Sequence, residues 1–370
     1  MTRSISKVMT DSQAYVAFNL TENVGFATVG ALVAECGSVV EAWERYAHKV
    51  ARSGGEVDWE KEYEAAERYG VRIITLADEE YPKQLKGVPG CPLALYVKGS
   101  VAAISKPAIA MIGTRRATAY GKELAYNLSY DLAKAGWSIV SGLALGIDGE
   151  SHRGALAAEG TTVGILGSGL DSFYPKENRE LAREMVEKGG AVISEFPFGR
   201  QPDCETFPIR NHVVAALARG VVAVEAPVKS GTLITTSIAA DLGRTVMAVP
   251  ARVDNRMSAG CLKLIREGAI LVRNADDILS EMSSLFPKSA VKPIERSEEK
   301  GEDDSERPAY SMEEALLMLH VDEGGISLED LARKTKLPIA KVNALAMQLR
   351  IKGFIRFLPG NRISLLTKPR

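Results

Sequence analysis

A few short segments of this 370-residue chain hold residue types suited to gripping an anionic chain. The loop Gly113-Thr114-Arg115-Arg116 leaves an apolar run and enters a helical stretch near Lys122. Amides at a helix start attract an anion, Gly113 permits close approach, and two adjacent guanidiniums offer fork-shaped donors to phosphate oxygens. The segment Phe207-Pro208-Ile209-Arg210-Asn211-His212 sets an aromatic ring beside a cation. A base can stack on such a ring while the guanidinium meets phosphate; a half-buried Phe beside a helix cap is the plainer alternative. Two glycine loops, around Gly142 and from Gly167 and Gly169 through Lys176, lie at comparable strand-to-helix positions, where ligand contact and a tight turn are both open. Glu225, followed by Ser230-Gly231-Thr232, is placed to hold a ribose or phosphate, with Thr232 as a simple helix start the competing reading.

Other chemistries lack their residues. Gly167-Ser168-Gly169 has no third glycine in register for a dinucleotide fingerprint, and Val228-Lys229-Ser230-Gly231-Thr232 lacks the Gly-Lys-Thr ending of a P-loop. Asp148 and His152 share a helix face and Glu195 closes a strand, but there is no nucleophile elbow or metal cluster, so no catalytic residue, cofactor or metal is expected. The four cysteines are widely separated, which points to reduced thiols and a cytoplasmic protein. No apolar stretch approaches the length of a membrane helix. With 46 basic against 47 acidic residues, any nucleic-acid site must be a local patch on a nearly neutral molecule.

These loops need a frame. Apolar runs at 107–113, 138–142, 161–167, 191–195, 221–225 and 245–250 alternate with helical stretches, the signature of a mainly parallel, doubly wound α/β sheet covered on both faces. Residues 1–70 read as a small helical, SAM-like domain and 71–286 as the sheet domain. Residues 287–308 read as an acidic linker with almost nothing to bury. In 309–370, helix starts at Ser311-x-x-Glu314 and Ser327-x-x-Asp330, a third helix, and a hairpin turning at 358–361 indicate a winged helix. That unit's cations are too few to decide between duplex DNA and a protein as its partner.

The series Ile112-Gly113-Thr114-Arg115-Arg116, Ser141-Gly142-Leu143-Ala144 with Gly146-Ile147-Asp148, Gly164 to Gly167 with Tyr174-Pro175 and Asn178, Phe207-Pro208 with Arg210-Asn211, and Ser230 to Thr235 closely resembles the DprA/Smf family of DNA-processing proteins. The resemblance spans nearly the whole chain. It implies an extended Rossmann fold, a homodimer, and a non-catalytic protein. It further implies that the protein binds and protects single-stranded DNA without base specificity and loads RecA during natural transformation. On that resemblance Arg115 grips a backbone phosphate, Lys176 and Arg210 extend the basic pocket, and Phe207 stacks on a base. Gly113, Thr114, Arg116, Gly142, Gly167, Gly169, Asn211, Ser230, Gly231 and Thr232 complete the expected contact set. The sequence departs from the family where Leu145 stands for a commonly basic residue. The rival is a nucleoside-monophosphate phosphoribohydrolase-like enzyme of the same fold, with Glu225 as its acid.

Overall fold

The computed structural model describes residues 9–52, 57–285 and, in the C-terminal part, 317–318, 320–321, 325–335, 337–351, 354–358 and 362–365. The chain divides into two compact units, 1–295 and 296–370.

The first unit opens with four helices, α1 (Asp11–Asn19), α2 (Phe26–Cys36), α3 (Val39–Arg52) and α4 (Trp59–Tyr69). Local sequence sets their ends: Thr10 and Gln13 form a reciprocal capping box at α1, Asp58 accepts from Lys61 N at α4, and Gly70, left-handed at φ 62°, stops α4. Their apolar faces meet around Phe18, Val29 and Trp43, a cluster that also takes in Leu93. Polar bonds tie these helices to the sheet domain, Glu62 accepting from Phe198 N at 2.9 Å and Asn19 Nδ2 donating to Glu195 O at 3.2 Å.

A nine-stranded sheet forms the body. Its strands are β1 (Arg72–Thr75), β2 (Ala94–Gly99), β3 (Ala108–Gly113), β4 (Ser138–Ser141), β5 (Thr162–Ile165), β6 (Ala191–Ser194), β7 (Gly220–Glu225), β8 (Thr245–Ala248) and β9 (Ile270–Leu271). The spatial order is β1-β2-β6-β5-β4-β3-β7-β8-β9. All neighbours from β6 to β9 pair in parallel, and β1 and β2 add an antiparallel edge beside β6. The expected parallel strands are present; the antiparallel pair and β9 are additions to them. Helices α5 (Val101–Ile104), α6 (Ala119–Lys134), α7 (Ile147–Ala157), α8 (Arg179–Glu187), α9 (Thr206–Leu217), α10 (Gly231–Asp241), α11 (Ala259–Arg266) and α12 (Ala275–Leu285) connect or flank the strands.

Both faces of the sheet are covered. Alternate residues of β3 enter different cores, Ala108, Ala110 and Ile112 one and Ile109 and Met111 the other, and β7 splits the same way. Strand order reverses direction at β3, whose neighbours are β4 and β7, so the loops leaving β3 and β7 splay apart and open a crevice at their carboxyl ends.

The second unit holds α13 (Leu328–Thr335), α14 (Ile339–Ile351) and an antiparallel sheet of β10 (Ile326–Ser327), β11 (Ile355–Leu358) and β12 (Arg362–Leu365), ordered β10-β12-β11. Leu331, Val342, Leu345, Leu349, Ile355 and Ile363 form its core. Ser327 caps α13 by accepting from Asp330 N at 3.0 Å. The expected linker, the helix start at Ser311 and the hairpin turn at 359–361 lie outside the described residues. No single helix among the described residues is long and apolar enough to cross a membrane.

Candidate nucleic-acid interface

The loops after β3 and β7 wall an open cleft of about 500 Å³ at the point where strand order reverses. Gly113, Thr114, Arg115 and Arg116 line it from β3, Gly142 from β4, Phe207, Arg210 and Asn211 from α9, and Ser230, Gly231 and Thr232 from the start of α10. Eleven of the fourteen residues anticipated from sequence therefore meet at one cavity.

The Arg115 loop is held at both ends by one residue. Glu225 O accepts from Thr114 N at 2.7 Å, and Glu225 Oε2 accepts from Thr118 N at 2.9 Å and from the Thr118 hydroxyl at 3.2 Å. Thr118 Oγ1 in turn accepts from Gly121 N at 3.0 Å, capping α6. A Cβ at Gly121 would collide with the Glu225 carboxylate, so this close approach requires glycine. The start of α6 is thus occupied by the protein's own carboxylate, not left open for a ligand as the sequence had suggested. Glu225 is buried and is absent from the cleft lining, so it is not disposed to hold a ribose or act as the rival enzyme's acid.

Between those anchors Arg115 and Arg116 are exposed, and neither forms an ion pair among the described residues. The Arg115 guanidinium lies 4.8 Å from the centre of the half-buried Phe207 ring. Tyr174 stands 6.1 Å from the same ring, tilted against it. Cation and rings so placed make a platform that can take a flat, polarisable group beside an anion.

Arg210 differs from the expected exposed cation. It is 5 % exposed, donates from Nη1 to Gly142 O and to Ile165 O, and reaches Asn211 Oδ1 from Nε at 3.1 Å. Burial pulls its pKa down to about 10, opposed by the nearby Asp148 carboxylate, so it stays charged at neutral pH. Burial likewise raises Asp148, with Arg210 opposing. Arg210 therefore braces the cleft floor by tying the ends of β4 and β5. A side chain at Gly142 would collide with its guanidinium.

Lys176, Gly167 and Gly169 fall outside the lining. Lys176 is exposed on a short 3-10 turn (Lys176–Asn178), Gly167 packs directly against the Phe207 ring, and Gly169 packs on the Pro197 carbonyl. The Asp148/His152 pair is not assembled either: His152 is fully buried, bonds Thr162 Oγ1 at 2.7 Å, and burial drives its pKa down to about 3. Sequence reasoning passed over Lys229 as a contact, although it adjoins Ser230 and lines the cleft. It also left Tyr174 out of the aromatic platform, which only the fold brings to Phe207.

The fold and cleft define a doubly wound α/β protein with a cationic, aromatic cleft at its topological switch point, the place where proteins of this architecture bind ligands. The comparisons narrow that class. Residues 72–283 match the family model of DNA recombination-mediator protein A, and the chain belongs to that family, called DprA or Smf. It is 32 % identical over 316 residues to Protein Smf of a Synechocystis strain, covering 79 % of each chain. It is 39 % identical over 214 residues to DNA processing protein DprA of Bacillus subtilis, covering 58 % of this chain and 72 % of that one. Among solved structures, DNA processing protein A from Streptococcus pneumoniae superposes with a TM-score of 0.58 at 32 % identity, over 74 % of this chain and 93 % of that one. The Helicobacter pylori protein, whose structure addresses its single-stranded DNA binding mode, gives 0.52 at 30 % identity, over 58 % and 96 %. This chain is accordingly a DNA-processing recombination mediator.

Proposed function

We propose that the cleft between β3 and β7 binds single-stranded DNA without base specificity, with the backbone along Arg115 and Arg116 and a base against Phe207. The observation that carries this reading is the unpaired Arg115 guanidinium 4.8 Å from the Phe207 ring, in a cleft open to solvent. Duplex bases are already stacked and paired, so an aromatic platform of this kind favours a strand whose bases are free. The Helicobacter pylori relative's single-stranded DNA binding mode supports the same substrate.

In this reading the protein is not an enzyme. It acts in the cytoplasm as a homodimer that protects incoming strands and passes them to RecA in natural transformation. Support comes from its family of recombination mediators and from the commitment of Glu225 to Thr118. The second unit is read as a winged helix whose α14 meets duplex DNA or a protein partner.

Anisotropy of labelled oligothymidylates of increasing length, beside a hairpin duplex of equal charge, tests the reading. The expected result is a plateau in affinity once the site size is reached, with duplex bound more weakly. Equal binding of duplex, or release of free base from nucleoside monophosphates, would overturn it.

A further inference from the structure

The Arg115 loop is fixed on its β7 side by Glu225, and its opposite side rests on the loop between β4 and α7. Ile147 N, at the start of α7, donates to Thr114 O at 3.3 Å. Gly146, at φ 79°, lies so close that a Cβ on it would collide with the Thr114 and Arg115 carbonyls, and a Cβ on Gly113 would strike the Ile147 side chain. A shift of residues 143–146 must therefore move the arginine loop.

The shape of that supporting loop is imposed from outside it. Leu143 is fully buried with φ 54°, a left-handed backbone that a non-glycine residue keeps only where its surroundings hold it. The side chain that holds it belongs to another segment. Asn178 Nδ2 donates to Leu143 O at 2.8 Å and to Ala144 O at 3.0 Å, so one amide grips two consecutive carbonyls from 35 positions along the chain. Asp148 Oδ2 adds a longer bond, accepting from Ala144 N at 3.4 Å.

Local sequence fits Asn178 for a different duty. It is the N-cap of α8, where an asparagine side chain ordinarily accepts from the first amides of the helix, yet it makes no capping bond. It is 2 % exposed and lies outside the cleft lining, so it is not itself a contact. Its backbone N–H donates to Pro175 O at 3.2 Å within the 3-10 turn that carries the exposed Lys176. One residue thus ties the segment between β5 and α8 to the loop that backs Arg115.

We infer that Asn178 is a positioning residue for strand binding, acting through the Leu143 and Ala144 carbonyls to set where Arg115 meets the backbone. It touches neither phosphate nor base. Its amide fixes the 143–146 loop, that loop backs Thr114 and Arg115, and the guanidinium is thereby held beside the Phe207 ring. This assignment rests on the single-strand reading of the cleft.

The test uses the full chain with Asn178→Leu, which keeps a branched side chain of similar outline and removes its donor. It is set beside wild type and Arg115→Ala for oligothymidylate affinity across a range of salt, well below the melting midpoint of every variant. Asn178→Leu should bind about tenfold more weakly at low salt, as expected for loss of a bond to a charged acceptor. Its plot of log affinity against log salt should be shallower by about 0.7, as though one phosphate contact were gone with Arg115 still present. The double variant Asn178→Leu/Arg115→Ala should bind no more weakly than Arg115→Ala alone, because both changes remove the same contact. Asn178→Ser, which retains a hydroxyl donor, should fall between wild type and Asn178→Leu, and it carries the same comparisons if the leucine variant does not fold. A residue that only packs would lower the melting midpoint and leave affinity and slope at wild-type values. That result, or losses that add in the double variant, would overturn the role. If Arg115→Ala itself binds as the wild type does, the single-strand reading fails and the role of Asn178 falls with it.

Discussion

Phe207 is shared by two arginines, Arg115 with its guanidinium 4.8 Å from the ring centre and Arg210 at 5.9 Å. The first is exposed and the second is 5 % exposed, so one ring joins the ligand-facing side of the cleft to its floor. Mutations at the three positions should therefore separate cleanly.

Replacing the ring tests stacking. Phe207→Ala should weaken binding of oligothymidylate by about 1–3 kcal/mol, the range for base–aromatic stacking, while Phe207→Tyr keeps most of it. On an oligonucleotide with an abasic site scanned along its length, the Ala penalty should disappear at one position. A penalty that ignores the abasic position would assign Phe207 to packing on Gly167.

Removing the buried arginine tests the floor. Arg210→Ala leaves the Gly142 and Ile165 carbonyls without their donor and Asp148 without its neighbouring cation. Stability should fall by about 2–5 kcal/mol, read from the urea midpoint of the first unit. Arg115→Ala, on an exposed side chain, should shift that midpoint little. Similar midpoints for the two variants would contradict the brace.

The carboxylate behind the arginine loop has a distinct signature. Glu225→Ala frees Thr118 N and the far end of the loop, and should cost about 1–2 kcal/mol in stability, as the loss of a cap does, together with strand affinity. Glu225→Gln retains an oxygen for Thr118 N and should keep most of both. Base release from a nucleoside monophosphate that vanished in both variants would instead mark Glu225 as catalytic.

These residues also show how far the sequence alone could lead. The parallel strands were readable because continuous apolar runs have few other homes, and the Arg115 loop because consecutive arginines between strand and helix have a narrow use. Glu225 was misjudged for a physical reason: its partner Thr118 is 107 positions away, and only the β3–β7 pairing brings them together. Arg210 looked like Arg115 in sequence, since its burial goes with bonds to the Gly142 and Ile165 carbonyls, 68 and 45 positions away, which only the folded sheet brings to it. The edge strands β1 and β9, of four and two residues, carry too little alternation to announce themselves.

Glu195 supplies a pH dependence. Its Oε1 is buried without a partner where β6 ends, and burial raises its pKa from 4.5 to about 8. The folded state thus holds a proton that the unfolded chain has released. The stability gained is complete below about pH 4.5 and is lost as pH rises towards 8. Urea unfolding between pH 5 and 9 should show the wild type losing stability across that window and Glu195→Gln losing distinctly less. Parallel curves for the two proteins would refute the assignment.

The most direct measurement is the salt dependence of single-strand affinity for wild type and Arg115→Ala. Each phosphate contact steepens the plot of log affinity against log salt by about 0.7 for a single strand. The wild type should therefore bind tightly at low salt and fall steeply. Arg115→Ala should be weaker at low salt with a slope shallower by about that amount. Equal affinities and equal slopes would contradict the claim that this cleft grips the strand.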